Sequence, residues 1–131
     1  MAITHLLDTN ILIYAMRNQI PASGLAILQQ FRDSGDAAIS IITEIEVLGF
    51  FNGTAADFAV SQRLIATMQV LSLDEVTKDL TIQLRRKYRI KLPDAVIAAT
   101  AIRQNVTLVS RNDKDFLRIT ELQYKNPFPI I

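Results

Sequence analysis

The sequence predicts an α/β fold: a three-layer α/β/α sandwich with a central, mainly parallel sheet. Short apolar segments of strand length alternate along the chain with longer segments whose apolar residues recur at helical spacing. Strands that are separated in this way by helices pair in parallel and place helices on both faces of their sheet. The chain has 131 residues, of which 50% are apolar, so we expect a single domain over residues 1–131 with its own core.

The strands are expected where short apolar segments meet polar residues or turns. The first of these segments ends at Asp8, which is typical of a buried strand. Strands are expected at residues 3–7, 37–42, 69–73 and 107–109, and the tail from residue 122 is expected to add an edge strand.

The helices are expected between the strands, and most begin at a residue with a short polar side chain. Such side chains accept hydrogen bonds from the free backbone N–H groups of a first helical turn. The expected N-caps are Ser23, Thr43, Thr54 and Asp74, and further helices are expected at residues 10–16, 94–104 and briefly from 115. Gly35 suits the end of the helix from Ser23, and Pro93 suits a first turn. Apolar faces are expected at Leu25, Leu28 and Phe31, at Phe58, Ile65 and Met68, and at Val76, Leu80 and Leu84.

The composition excludes several kinds of site. There are no cysteines, so disulfide frameworks and thiolate metal sites are excluded. His5 is the one histidine, so a single chain cannot build a zinc site from several histidines, and we expect this ring to be packed rather than catalytic. The net charge of +1 argues against a strongly basic coat for nucleic acid. The N-terminus lacks the features of a signal peptide, and a cytoplasmic location without membrane contact is expected.

Acidic residues follow the ends of several expected strands. They are Asp8 after the first strand, Glu44 and Glu46 after the second, Asp94 at a helix start, and Asp113 and Asp115 after the fourth strand. Because ligands of parallel α/β sheets bind beyond the carboxyl ends of the strands, we expect these acids to meet at one edge. Clustered carboxylates repel one another, and a hard divalent cation such as Mg²⁺ or Mn²⁺ removes that penalty. Such a cluster suits hydrolysis of a phosphodiester bond by water.

Each acid also has a purely structural interpretation. Asp8 could cap the helix that follows it, and Asp94 could be a first-turn charge that the helix dipole favours. Glu44 and Glu46 are two residues apart, roughly 200° around a helix, so only one of them can face the site. The two acids after the fourth strand lie in a polar segment that could be a plain loop.

Four segments, in order along nearly the whole chain, resemble the motifs of PIN-domain ribonucleases. They are residues 6–10 (LLDTN), 40–49 (SIITEIEVLG), 92–101 (LPDAVIAATA) and 108–116 (LVSRNDKDF). The fourth motif usually opens with threonine, and Ser110 keeps the hydroxyl here. In size the chain is similar to the VapC-like toxins of type II toxin–antitoxin systems.

The resemblance implies a metal-dependent endoribonuclease that uses Mg²⁺ or Mn²⁺. The implied catalytic and metal-binding residues are Asp8, Glu46, Asp94 and Asp115, with Asn112 and Asp113 as alternatives for the fourth position. The implied supporting residues are Asn10, Thr43, Ser110, Asn112 and Asp113, and Asn10 is expected to support Asp8 by hydrogen bonding. The implied partners are an RNA substrate, a cognate antitoxin and a second copy of the chain in a homodimer.

Basic residues lie close to the third and fourth motifs. Candidates for RNA binding are Arg85, Arg86, Lys87, Arg89, Lys91 and Arg111. Contacts of this type to phosphates position nucleic acid without reading its sequence. A solvated helix face and loop is the alternative interpretation, and no aromatic residue can be assigned to base stacking from the sequence.

Two other functions stay open at this point. A signalling receiver domain is also an α/β fold with an acidic Mg²⁺ pocket, but it typically has adjacent acids after its first strand, and Asp8 has no acidic neighbour. A PIN-like domain that has lost catalysis and only binds a partner is the other alternative, against which the retained acids argue.

Overall fold

The computed structural model describes residues 3–16, 26, 29–30, 33–49 and 54–128. The strands are β1 (His5–Leu7), β2 (Ala37–Ser40), β3 (Gln69–Leu71), β4 (Thr107–Val109) and β5 (Gln123–Lys125). The helices with defined bounds are α1 (Thr9–Met16), α2 (Ile41–Gly49), α3 (Ala55–Ala66), α4 (Glu75–Lys87), α5 (Leu92–Gln104) and α6 (Asp113–Phe116). The helix expected from Ser23, with Leu25, Leu28 and Phe31 on its apolar face, falls largely outside the described residues.

The strands form one sheet in the order β3-β2-β1-β4-β5. All four pairings are parallel, which confirms the expected fold class. β1 is central: the chain extends the sheet through β2 and β3 on one side and through β4 and β5 on the other. The direction of winding therefore switches beside β1, and the residues that follow β1, β2 and β4 lie at neighbouring positions on one edge. Such a switch point is where open α/β sheets bind ligands.

Apolar side chains cover both faces of the sheet. Leu6 on β1 and Ile97 on α5 belong to one buried cluster, whereas Leu7 and Ile11 belong to the other. Adjacent residues of a strand point to opposite faces, so a three-residue strand can serve two cores. In α5, every residue from 95 to 101 is buried, and the four alanines among them allow this helix to lie close to its neighbours.

The boundary between β2 and α2 differs from the expected one. The sequence pattern predicts a strand as far as residue 42 with Thr43 as the helix cap, but β2 ends at Ser40 and α2 begins at Ile41. The Ser40 hydroxyl accepts a hydrogen bond from the Ile42 backbone N–H at 3.1 Å and so serves the first turn. Thr43 is fully buried inside the helix. A short apolar run does not distinguish a buried strand from the first turn of a buried helix, which explains the error.

The expected N-caps of α3 and α4 are confirmed. Thr54 forms a reciprocal capping box with Asp57, and the Asp74 carboxylate accepts from the Thr77 backbone N–H at 2.8 Å. These caps follow from side chains that bind within their own helix.

The expected apolar faces of α3 and α4 are wrong in part. Val76 of α4 is 47% exposed, and the buried face of that helix instead carries Thr77, Thr81 and Leu84. The Thr81 hydroxyl can be buried because it donates to the Thr77 carbonyl at 2.7 Å. Phe58 of α3 is likewise exposed, at 46%, and does not join the core with Ile65.

Candidate active site

Asp8 is a buried carboxylate at the end of the central strand. Its side chain is only 4% exposed, and its backbone N–H continues the parallel ladder to the Val109 carbonyl at 2.9 Å. One carboxylate oxygen, Oδ1, accepts from the Thr9 backbone N–H at 2.8 Å, and Oδ2 accepts from the Ser110 hydroxyl at 2.7 Å. Because β1 and β4 pair in register, the residues that follow them are held side by side, and this brings Ser110 to Asp8 across 102 positions of sequence.

Ser110 connects the first and fourth motifs through one hydroxyl group. Its Oγ donates to Asp8 and accepts from the Asn112 backbone N–H at 3.0 Å and from Asn10 Nδ2 at 3.3 Å. Asn10 was expected to support Asp8 by hydrogen bonding, and among the described residues this support passes through Ser110. The Thr9 amide and the Ser110 hydroxyl bind the two Asp8 oxygens directly.

The amide oxygen of Asn10 is buried without a hydrogen-bond partner among the described residues. Its orientation follows from the network: the single Ser110 proton goes to Asp8, so Ser110 can only accept from Asn10, and the Asn10 NH₂ must face it. Asn10 Oδ1 therefore points away from Ser110. A buried acceptor of this kind is costly unless a water, an ion or a ligand group binds it.

Glu46, rather than Glu44, is the α2 acid that contacts the first motif. Thr9 Oγ1 donates to Glu46 Oε1 at 2.7 Å and lies 3.0 Å from the Thr43 hydroxyl. Thr43 thus has a supporting place beside the acids, although not as a helix cap. The sequence analysis did not single out Thr9 as a site residue. Its position directly after Asp8 in the first motif was the signal that could have indicated it.

Asp94 is half-buried in the first turn of α5, directly after Pro93. Burial raises its pKa above the usual range, and the charges of Asp115 and Glu46 raise it further, while Lys91 opposes them. The pKa of Asp8 is affected by its acidic neighbours in the same way. Burial raises the pKa of Asp8 to about 6 against the hydrogen bonds from Ser110 and Thr9, and the charges of Asp94 and Glu46 add to the increase.

The two acids of the fourth motif, Asp113 and Asp115, have different hydrogen-bond partners. Asp115 Oδ2 accepts from Asn112 Nδ2 at 2.8 Å, and its charge acts on Asp94. Asp113 Oδ1 instead accepts from the Tyr124 hydroxyl at 2.6 Å and from Asn126 Nδ2 at 3.1 Å. Asp113 therefore ties α6 to β5 and the segment after it, whereas Asp115, which Asn112 orients, lies close enough to Asp94 for its charge to raise the Asp94 pKa.

The donor set fits a hard divalent cation. The acidic side chains at this edge all ligate through oxygen, which Mg²⁺ and Mn²⁺ prefer. The Asn10 amide oxygen, which has no hydrogen-bond partner in the described residues, adds a further acceptor. Within the described ranges, no three His, Cys, Asp or Glu side chains are close enough together to hold an ion as they stand.

The predicted basic residues have four kinds of surroundings. Lys91 lies close enough to Asp94 to lower its pKa. Lys87 is engaged elsewhere, because its ammonium lies 3.5 Å from Glu121 and over the Tyr88 ring at 5.3 Å. The exposed residues Arg85, Arg86 and Arg89 form no side-chain ion pair within the described part of the chain, and Arg111 lies on two aromatic rings.

His5 lies at the start of β1, at the opposite end of that strand from Asp8. Its Nδ1 is 2.7 Å from the Thr4 hydroxyl, and burial lowers its pKa. His5 is only partly buried there, so its packing is incomplete. No helix in the described residues is long and apolar enough to cross a membrane.

Comparisons with known proteins agree on one family. The family described as PIN domain matches residues 5–122. Among solved structures, this chain is similar to a chain in the structure of VapBC2 from Rickettsia felis bound to a promoter DNA fragment. The identity is 25% and the TM-score is 0.82, and the match covers 96% of this chain and 98% of that chain. This chain is also similar to one in VapBC-1 from nontypeable Haemophilus influenzae, at 27% identity and a TM-score of 0.80, with 97% and 98% covered.

A third similar chain is in a toxin–antitoxin complex from Klebsiella pneumoniae, at 29% identity and a TM-score of 0.77, with 97% and 100% covered. No curated protein matches the sequence significantly. The fold is thus similar to that of these chains over nearly their full length. Because the family model matches residues 5–122, the chain belongs to the PIN domain family.

Proposed function

We propose that the chain is a metal-dependent endoribonuclease and the toxin of a VapBC-type toxin–antitoxin pair. The observation that carries this proposal is the buried Asp8 carboxylate at the switch point of the sheet, with Thr9 hydrogen-bonded both to it and to Glu46 and with Asp94 close enough for its charge to raise the Asp8 pKa. A buried carboxylate with other acids beside it is unfavourable without a counter-ion, and structural capping does not require such a grouping.

Asp8, Glu46, Asp94 and Asp115 would hold one or two Mg²⁺ or Mn²⁺ ions. Bound there, a divalent cation supplies a Lewis acid that lowers the pKa of water and stabilises negative charge on phosphate oxygens. Ser110 and the Thr9 amide keep Asp8 ionised and oriented by donating to its two oxygens. Asn10 Oδ1, which has no partner in the described residues, is available to accept a hydrogen bond from a water molecule.

The side chains that surround these acids have supporting parts in the proposal. Thr9 and Thr43 limit the positions that the Glu46 carboxylate can take. Asn112 orients Asp115 in the same way. The basic residues Arg85, Arg86, Arg89, Lys91 and Arg111 would contact RNA phosphates, with Lys87 a weaker candidate because of its ion pair with Glu121.

The proposed partners follow from the similar structures, which are toxin–antitoxin complexes. By analogy, we infer that a cognate antitoxin binds this chain. A homodimer and action in the cytoplasm are further proposals, which rest on the motif resemblance and on the sequence. The family match argues against the alternative of a signalling receiver domain. A PIN-like domain without catalysis is the outcome that the experiments below would reveal.

Metal removal tests the proposal most directly. We expect the protein to cut single-stranded RNA in Mg²⁺ or Mn²⁺, to lose the activity in EDTA, and to regain it when the cation is restored in excess. The measurement is the rate at which a labelled RNA is cut internally. Full activity in EDTA would refute the metal mechanism, and no cleavage of any RNA in either cation would favour the inactive binding module.

The two acids of α6 provide a matched pair of variants. Asp115→Asn is expected to lower the cleavage rate by more than about tenfold, because it removes a charge that faces Asp94. Asp113→Asn makes the same chemical change two residues away and is expected to leave the rate near that of the wild type. Its expected effect is a loss of about 1 kcal/mol of unfolding free energy, since it weakens the bonds from Tyr124 and Asn126. Cleavage rates and urea unfolding measure the two effects, and the reverse assignment would identify Asp113 as the fourth acid.

A further inference from the structure

Arg111 lies on two aromatic rings that come from distant parts of the chain. Its guanidinium carbon is 4.2 Å from the centroid of the Phe128 ring and 5.4 Å from that of the Tyr14 ring. The two rings contact each other edge to face, with centroids 5.5 Å apart and an interplanar angle of 71°. Both rings pack partly against the core cluster that contains Leu7 and Val109. We refer to Tyr14, Arg111 and Phe128 as the Arg111 cluster.

The guanidinium of Arg111 has no anionic partner in the described residues. Two other arginines have one: Arg103 lies 3.7 Å from Asp74, and Arg118 lies 3.9 Å from Asp115. Arg111 differs from the exposed arginines before Asp94 in its contacts with two rings. Arg111 is exposed and makes neither an ion pair nor a side-chain hydrogen bond within the described ranges. Contacts with two rings restrict where the guanidinium can lie, and they leave its N–H groups free to bind an acceptor. The cluster therefore presents an oriented but unused set of hydrogen-bond donors.

The cluster borders the candidate active site on two sides. Arg111 directly follows Ser110, whose hydroxyl binds Asp8. Tyr14 lies four residues after Asn10 in α1, so both project from the same side of that helix. An anionic strand that approaches the acids meets repulsion from them, and a fixed arginine at their margin offsets it. Planar guanidinium groups are well matched to phosphate oxygens, to which they donate two parallel hydrogen bonds.

We propose that Arg111 binds a phosphate of the RNA strand next to the one that is cut, and that Tyr14 and Phe128 are positioning residues for its guanidinium. This inference rests on the proposed ribonuclease function and names one substrate contact within it. It assigns the two aromatic rings a role that the sequence alone did not indicate.

Binding without cleavage tests the phosphate contact. The probe is a short fluorescent single-stranded oligoribonucleotide, and its anisotropy is measured in EDTA over a series of KCl concentrations. Arg111→Ala is expected to weaken binding about tenfold and to lower the slope of log K against log salt by about 0.7, the value for one phosphate contact on a single strand. Arg111→Lys is expected to restore the slope but only part of the affinity, because the charge remains while the planar fork is lost.

Arg63→Ala is the matched control, because it removes the same charge from an exposed position in the last turn of α3. It is expected to leave both the affinity and the slope close to the wild-type values. If Arg111→Ala lowers stability while the salt slope stays unchanged, Arg111 is only a structural contact and the proposal is wrong. The same conclusion follows if the wild-type protein does not bind the oligoribonucleotide.

The aromatic residues require a readout other than stability. Tyr14→Leu and Phe128→Leu are each expected to raise KM several-fold with little change in kcat, whereas Tyr14→Phe keeps the ring and is expected to rescue the loss seen in Tyr14→Leu. In an Arg111→Ala background, Phe128→Leu is expected to have no further effect on RNA binding, because its role acts through Arg111. An additive loss in the double variant would overturn the positioning role.

The outcomes separate this inference from the proposed function. If the wild type cuts RNA and Arg111→Ala binds and cuts equally well, the phosphate contact is wrong and the ribonuclease stands. If no RNA is cut but Arg111→Ala reduces the salt slope, the phosphate contact stands and the catalytic proposal falls.

Discussion

Asp8→Asn is expected to abolish RNA cleavage and, in EDTA, to remove a pH dependence from the stability of the protein. The loss of cleavage, by more than about 100-fold, follows from the removal of the buried charge around which the other acids are placed. The stability effect follows from the pKa of Asp8, which burial raises to about 6 from its ordinary value of 3.8.

The direction of the pH effect is set by which state binds the proton more tightly. The folded protein does so, since its Asp8 pKa lies above that of the unfolded chain. The favourable contribution of Asp8 is therefore complete below about pH 4, and it is lost as the pH rises through about 6. Between about pH 4 and pH 8, the unfolding free energy of the wild type should fall by about 2 kcal/mol relative to Asp8→Asn.

Urea unfolding of both proteins in EDTA at several pH values measures this difference. The comparison does not depend on any constant cost of the amide that the substitution introduces, since only the change with pH is read. Addition of Mg²⁺ or Mn²⁺ at neutral pH should stabilise the wild type more than the variant, because binding to the folded state alone increases its stability. Parallel pH profiles for the two proteins would show that Asp8 is not a buried, strained carboxylate.

Ser110→Ala is expected to reduce both stability and activity. The hydroxyl makes three hydrogen bonds, one of them to the ionised Asp8, and the alanine leaves a buried carboxylate oxygen and two donors without their partner. The unfolding free energy at neutral pH should fall by about 2 kcal/mol. The cleavage rate should fall about tenfold or more, since loss of groups that orient metal ligands has effects of this size.

Ser110→Thr keeps the hydroxyl and is the matched control for this change. Thermal unfolding and RNA cleavage at fixed cation concentration are the measurements. The threonine variant should retain most of the activity, as its hydroxyl can still bind Asp8. If alanine and threonine reduce cleavage equally, steric fit at this fully buried position matters more than the hydroxyl, and the orienting role is wrong.

Much of the framework was predictable because local chemistry decides it. β4 was predicted with its observed bounds, and the caps at Thr54 and Asp74 followed from side chains that serve their own helix. The parallel sheet followed from the alternation of strands and helices. The errors arose where the local pattern allows two structures: the two isoleucines after Ser40 suit a strand or a buried helix equally well, and the helix that they begin places Thr43 inside rather than at its end.

The sequence by itself determined that the acids lie after the strands and that the motifs have the order found in PIN domains. Only the tertiary structure distinguished Asp113, tied to Tyr124 and Asn126, from Asp115, which faces Asp94. It alone showed that Asn10 reaches Asp8 through Ser110, and that Tyr14 and Phe128 hold Arg111. The physical reason is that each of these contacts joins residues far apart in the chain, and their partners are set by strand register and helix packing rather than by neighbouring residues.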